Sequence, residues 1–217
     1  MTKIVAISDT HELHRKLEIP DGDVLIHCGD IINSYNDKAL IDFINWMSDL
    51  PHKHKIVIPG NHDMILDPVN KNYTPNLFEE LFERNKIHYL LHNSVVLDDL
   101  KFHGTSWIPS LPGWAFYDGN RNRFQNIPDD TNILITHSPP YKIRDWSETP
   151  WGKDHYGSGH LLNKINELKT LSNLKAHFFG HCHQAYGIHE NDGIKFVNAA
   201  ICNENYRPLN PIQIVDI

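Results

Sequence analysis

Residues 56–63 read Ile56-Val57-Ile58-Pro59-Gly60-Asn61-His62-Asp63, and this stretch decides the fold. An apolar, β-branched run stops at Pro59-Gly60, and an amide, an imidazole and a carboxylate follow at once. β-Branched residues favour strands, and Pro-Gly punctuates them. A strand that ends this way presents polar side chains at its carboxyl edge, where ligands bind in open α/β sheets. Taken alone, the stretch is equally well a polar turn with an incidental histidine. It gains weight because the pattern recurs along the chain.

Upstream, residues 3–8 form an apolar run that ends in Asp9-Thr10-His11. An Asp after a strand usually caps a helix or turn, but His11 two residues on lets both side chains converge. Asp21-Gly22-Asp23 signals a turn. Val24-Leu25-Ile26-His27-Cys28 then forms a second strand, ending in Gly29-Asp30. His27 and Cys28 lie inside the strand pattern and read as packing residues. Leu40, Ile41, Phe43, Ile44, Met47 and Leu50 fall at helical spacing. Asn36 or Asp37 caps that helix, and Pro51 follows its end. The order strand, crossover, strand, helix, strand favours parallel strands covered by helices.

Downstream, Thr74-Pro75 starts a second helix that runs to about Lys86. Residues 87–91, 94–97 and 100–107 read as antiparallel strands of a second sheet, with Asp98-Asp99 as a hairpin connection. Residues 106–123 shift to Trp, Pro, Gly, Asn and Arg. A loop of that length in a compact domain is usually functional or disordered, and its aromatics argue against disorder. It is a substrate-side wall, or an ordered loop whose rings cover the core. Residues 132–135 are a strand that ends in Thr136-His137. Residues 141–159 read as a second irregular stretch and 158–171 as a helix. Residues 176–179 are a strand that ends in Gly180-His181-Cys182-His183. Closing strands follow at 186–189, 194–197 and 212–217, with Asn191-Asp192-Gly193 as a hairpin turn.

The 217 residues are 40% hydrophobic and 22% charged, which suits one domain over residues 1–217. Net charge is −7, so no strong nucleic-acid binding and no anionic-membrane binding is expected. Three cysteines and no signal peptide point to reduced thiols in the cytoplasm. No apolar run approaches the ~20 residues of a membrane span. With 16 histidines, only position and spacing promote any one of them. Oligomeric state stays open, a dimer included.

Asp9/His11, Asp30, Asn61/His62, His137 and His181/His183 each directly follow an apolar run. Repetition on this scale gathers the side chains on one rim of one sheet system. Carboxylates, an amide and imidazoles without thiolates suit Mn, Fe, Zn or related divalents rather than a structural cysteine site. The inventory exceeds one tetrahedral ion and fits two. Two cations ~3.5–4 Å apart clamp the attacking and leaving oxygens of an in-line displacement and lower the pKa of a shared water. Asp30, central in the series, is the natural bridge.

These blocks, in this order, resemble the calcineurin-like metallophosphoesterases. Gly104-Thr105-Ser106-Trp107, His137-Ser138-Pro139-Pro140, Arg144-Asp145-Trp146, Asn198-Ala199 and Pro208-Leu209-Asn210-Pro211 look like the metallophosphoesterase-domain-containing proteins, which are class III cyclic-nucleotide-phosphodiesterase-like enzymes. The resemblance implies an α/β/β/α sandwich of two mixed sheets flanked by helices. It implies Asp9, His11 and His183 on a first metal, Asn61, His137 and His181 on a second, and Asp30 between them. His62 would act on the substrate without ligating, oriented by Asp63. Where many relatives carry an Arg after Gly-Asp, this chain has Ile31-Ile32-Asn33, leaving Arg121, Arg123, Lys142 or Arg144 as phosphate contacts. The expected activity is hydrolysis of small phosphodiesters, cyclic nucleotides among them. The alternatives are a phosphomonoesterase, a nucleotidase, a nuclease, or a scaffold that has lost catalysis.

Overall fold

The computed structural model describes residues 1–70, 74, 77–119, 122–171 and 173–217. In chain order the elements are β1 (Lys3–Ile7), β2 (Val24–His27), α1 (Asp37–Asp49), β3 (His54–Val57), α2 (Leu77–Arg84), β4 (His88–Tyr89), β5 (Asn93–Leu97) and β6 (Leu100–Thr105). They continue with β7 (Ile133–Thr136), β8 (Trp146–Thr149), β9 (Gly152–His155), α3 (Gly159–Thr170), β10 (Ala176–Phe179), β11 (Gly187–Asn191), β12 (Ile194–Asn198) and β13 (Gln213–Asp216).

Side-chain alternation along the strands separates three cores. Ile4 and Ala6 of β1, Ile26 of β2 and Ile56 of β3 meet Phe102, Ile133, Ile135, Phe178 and Val197 from the other sheet. The opposite faces of the first three strands carry Val5, Ile7, Leu25 and Val57. These pack under Leu40, Phe43, Ile44 and Met47 of α1 and Phe78 and Phe82 of α2. In the second sheet Leu134, Phe179 and Phe196 face away from the central core and pack under Leu161, Ile165 and Leu168 of α3. A strand covered on both faces reads as a continuous apolar run, as these do. The result is four layers, helix, sheet, sheet and helix, as expected.

The first sheet has the order β13-β1-β2-β3-β4, parallel from β1 to β4 with β13 antiparallel at the edge. The second runs β11-β12-β10-β7-β6-β5, with parallel centre strands and an antiparallel hairpin at each edge. Both hairpins turn on residues in the left-handed region, Asp98 and Asp99 in one and Asp192 and Gly193 in the other, which matches the twist of the flanking strands. Asn36 caps α1 by accepting from the Ala39 N–H, and Ser158 caps α3 by accepting from Leu161. The expected start of the second helix at Pro75 lies outside the described residues. Among the described residues no helix is long and apolar enough to cross a membrane.

Two expectations are corrected. The run around residues 87–91 does not join the second sheet: β4 pairs in parallel with β3, through Ile56 with His88 and Val57 with Tyr89. Residues 141–159 are not wholly irregular, because Trp146 pairs with His155 and Thr149 with Gly152 in the β8–β9 hairpin. That hairpin is polar and mostly exposed, so it carries no apolar alternation.

Candidate metal centre

β1, β2 and β3 of one sheet and β7 and β10 of the other deliver their following loops to a common rim. The loops are laced together: Asp9 N–H donates to the Gly29 carbonyl, His11 N–H to Asp30, and Gly180 N–H to His137. Asp9, His11, Asp30 and His181 all adopt positive φ, between 43° and 69°. Non-glycine residues in that region cost on the order of 1 kcal/mol each or more, and such strain gathers at functional sites. Gly60 and Gly180 are pinned by close approach. A Cβ at Gly60 would collide with the Asp30 carboxylate, and one at Gly180 with the Asp9 carboxylate.

The donor atoms meet in three groups, each within 4.8 Å: Asp9, His11 and His183; His11, Asp30 and His62; Asp9, Asp30 and His137. Nε2 of His183 lies 3.2 Å from Asp9 Oδ1 and 3.3 Å from Nε2 of His11. Nε2 of His137 lies 3.3 Å from Asp30 Oδ2 and 3.0 Å from Asn61 Oδ1. His181 places its ring 5.1 Å from that of His137 and its N–H on Asp9. Of the seven expected ligands, Asp9, His11, Asp30, His137 and His183 share donor groups, Asn61 joins them through His137, and His181 stands beside them by its ring. His62 stands in one donor group itself, so proximity alone does not set it apart from them.

The outward nitrogens fix what the inward ones can do. Nδ1 of His137 donates to the Cys28 carbonyl and Nδ1 of His183 to the Asn203 carbonyl, at 2.8 and 2.9 Å. Nδ1 of His11 pairs with Asn33 Oδ1 at 3.1 Å. In the neutral rings each Nε2 then points a lone pair at carboxylate oxygens or at another lone pair. Outer partners of this kind are what hold metal-ligating imidazoles in place. A convergence of acceptors on acceptors fits a bound cation.

Without a cation the site must take up protons. Burial opposes charge at His137, yet the Asp30 carboxylate raises it to about 9. His183 is raised as well, its burial outweighed by the hydrogen bond to Asp9. Burial also works against Asp9 and Asp30, but the adjacent imidazoles hold both carboxyls well below the usual range. His181 is lowered to about 4 by burial and the His137 charge.

Asp63 does not orient the His62 ring. Its buried carboxylate accepts from the N–H groups of Gly60, Ile31 and Ile32, tying the loop after β2 to the loop after β3. Burial and the Asp30 charge push it up to about 7.

Above the donors opens a cavity of about 310 Å³, with Asp30, Asn61, His62, His181 and His183 on its floor. Leu111 and Trp114 line one wall, Ser147 and Tyr156 another, and Gln184, Glu204 and Tyr206 complete it. Trp114 lies 4.5 Å from the His62 ring and Tyr206 lies 4.7 Å from that of His11. Of the expected phosphate contacts, Arg123 is bound to Asp118 and stacked on Trp107, and Arg144 donates to the Tyr186 and Ile188 carbonyls. Lys142 lies over the Tyr141 ring, and Arg121 is outside the described residues. Sequence pattern alone does not mark Asn33, Asn203, Glu204 and Tyr206 as site residues, although they reach the rim. For the last three the one signal is a polar turn with a single aromatic between two apolar runs.

A four-layer sandwich with a rim of carboxylates, imidazoles and an amide defines a metal-dependent hydrolase. Comparison with known proteins narrows the class. Residues 2–185 match the family model described as calcineurin-like phosphoesterase. Metallophosphoesterase domain-containing protein 1 of Homo sapiens is 30% identical over 239 residues, covering 100% of this chain and 71% of the human one. A UPF0046 protein of Caenorhabditis elegans is 36% identical over 216 residues, covering 93% and 70%. The crystal structure of TT1561 of Thermus thermophilus shares the fold, with a TM-score of 0.60 at 16% identity over 91% of this chain and 88% of that one. The chain belongs to the calcineurin-like phosphoesterases and is a metal-dependent phosphoesterase.

Proposed function

We propose that the protein hydrolyses small phosphodiesters in the cavity above the rim, with two divalent cations held by its donor cluster. The observation that carries this reading is the gathering of seven donor residues from both sheets, four of which, Asp30, Asn61, His181 and His183, line one open cavity. Asp9, His11 and His183 would hold one cation and Asn61, His137 and His181 the other, with the Asp30 carboxylate facing His11 and His137 from the two sets. Bound there, divalent cations would supply charge stabilisation for the phosphoryl oxygens and a water of lowered pKa. His62 is half-buried at the cavity floor, its N–H anchored on Asp30 Oδ1 at 2.8 Å. It delivers a proton to the departing ester oxygen.

The diester preference follows from charge. A phosphomonoester brings two negative charges and is normally met by Arg or Lys. Among the described residues none lines this cavity, and Glu204 stands on its rim, so a singly charged diester suits it better. Three free, buried thiols suit a reducing compartment such as the cytoplasm. Protein loaded with Mn²⁺ is expected to cleave bis-p-nitrophenyl phosphate faster than p-nitrophenyl phosphate. Absence of metal-dependent hydrolysis would refute the reading, and the reverse preference would make the enzyme a phosphomonoesterase.

A further inference from the structure

We propose that this cavity selects phosphodiesters in which one ester arm carries a cationic nitrogen, recognised by Glu204 together with the rings of Trp114, Tyr156 and Tyr206. The inference rests on the phosphodiesterase reading above and names the substrate class of that site.

Glu204 lies on the cavity wall with one neutral partner, the Asn205 side-chain amide at 3.0 Å. Among the described residues no Lys, Arg or His pairs with it. The cavity's other carboxylate, Asp30, is committed to His62 N–H and His137. Elsewhere three rings are covered by the protein's own cations. Arg123 lies over Trp107, Lys142 over Tyr141 and Lys153 over Trp146, at 4.1, 5.3 and 3.8 Å. Among the described residues, the three cavity rings have no such cover. Trp114 packs against His62 and Tyr206 against His11 and His183, but the ring surface that these contacts leave to the cavity, with a carboxylate that no cation pairs, forms the environment that takes up an ammonium group.

The turn that carries Glu204 and Tyr206 is strongly held. Asn203 Oδ1 accepts from the N–H groups of Asn205 and Arg207, both at 3.0 Å. Asn203 N–H donates to Arg207, and its carbonyl accepts from Tyr206. Four bonds thus keep Tyr206 at φ 55°, a conformation that costs a non-glycine residue free energy. The turn lies beyond residues 2–185 that match the family model.

The test uses esters that share p-nitrophenolate as leaving group, so that rates report the other arm. The Mn²⁺-loaded protein is given p-nitrophenyl phosphorylcholine and its uncharged isostere, 3,3-dimethylbutyl p-nitrophenyl phosphate. A preference of about tenfold in kcat/KM for the choline ester is expected. Glu204→Gln should reduce that ratio severalfold, and Tyr206→Leu should reduce it as well. Equal use of the two esters, or a ratio unmoved by Glu204→Gln, overturns the proposal. Turnover of bis-p-nitrophenyl phosphate reports separately on the phosphodiesterase reading. If turnover fails, calorimetry with choline methyl phosphate against 3,3-dimethylbutyl methyl phosphate makes the same charge comparison by binding, and equal affinities overturn it.

Discussion

Asp30 serves several partners with one carboxylate. Oδ1 accepts the His62 N–H, and Oδ2 faces Nε2 of His137 and, at 3.9 Å, of His11. Replacing it with Ala removes the negative charge on which the surrounding imidazoles converge. Asp30→Ala should lose bound metal and turnover together, as read by elemental analysis and bis-p-nitrophenyl phosphate rates. Retention of both would refute its assignment. His62→Ala should keep its metal and lose about 10²–10⁴-fold in rate; metal loss in that variant would make His62 a ligand. Asp63 acts on stability. Asp63→Ala leaves three buried N–H groups without their acceptor, costing on the order of 3 kcal/mol. A melting temperature about 10 °C lower is expected, and thermal denaturation measures it. The sequence motif cannot separate these neighbours, because adjacency in Asn61-His62-Asp63 says nothing of which way each side chain turns.

The loops that end the parallel strands work as a set, and glycines control their spacing. Gly180→Ala would drive a methyl group into the Asp9 carboxylate. Metal affinity should fall by about tenfold or more, measured by competition with a chelator, while wild-type affinity would show that the loop can yield. The rim is legible in the sequence because each donor directly follows an apolar run buried on both faces. The four layers are legible for the same reason, through helical spacing at Leu40, Phe43, Ile44 and Met47. The edges are less so. β4 is two residues long, and its membership depends on register with β3, which no local pattern encodes. β8 and β9 hold each other through backbone pairing with polar, solvent-facing side chains. The 203–207 turn does not directly follow a strand, so its polar composition marks a turn but not its return to the rim.

The whole chain couples protonation to stability in two opposite ways. His27 and His177, fully buried, and His92 are pushed by burial down to about 3, and His103 to about 4. The unfolded chain protonates these histidines near 6.5, so stability falls as pH drops from 6.5 towards those values. Each contributes on the order of 1.4 kcal/mol per pH unit at most. His137 has the opposite sign. Raised to about 9, its contribution is complete below 6.5 and is lost as pH climbs through 9. Chelator-treated protein should therefore be most stable near pH 6.5, with melting temperature declining on both sides. A melting temperature flat from pH 4.5 to 8.5 would contradict this. Adding the divalent ion should remove the alkaline decline if His137 is a ligand, because the ion would then take the proton's place on it. The donor set is also scattered in time. His11 and His183 touch in space but stand 172 residues apart in the chain. A ribosome releases Asp9, His11 and Asp30 well before His137 and His183, and two of the three donor groups wait for those late arrivals. Of these two groups, one is thus complete only once the chain has been made through His137 and the other only once it has been made through His183.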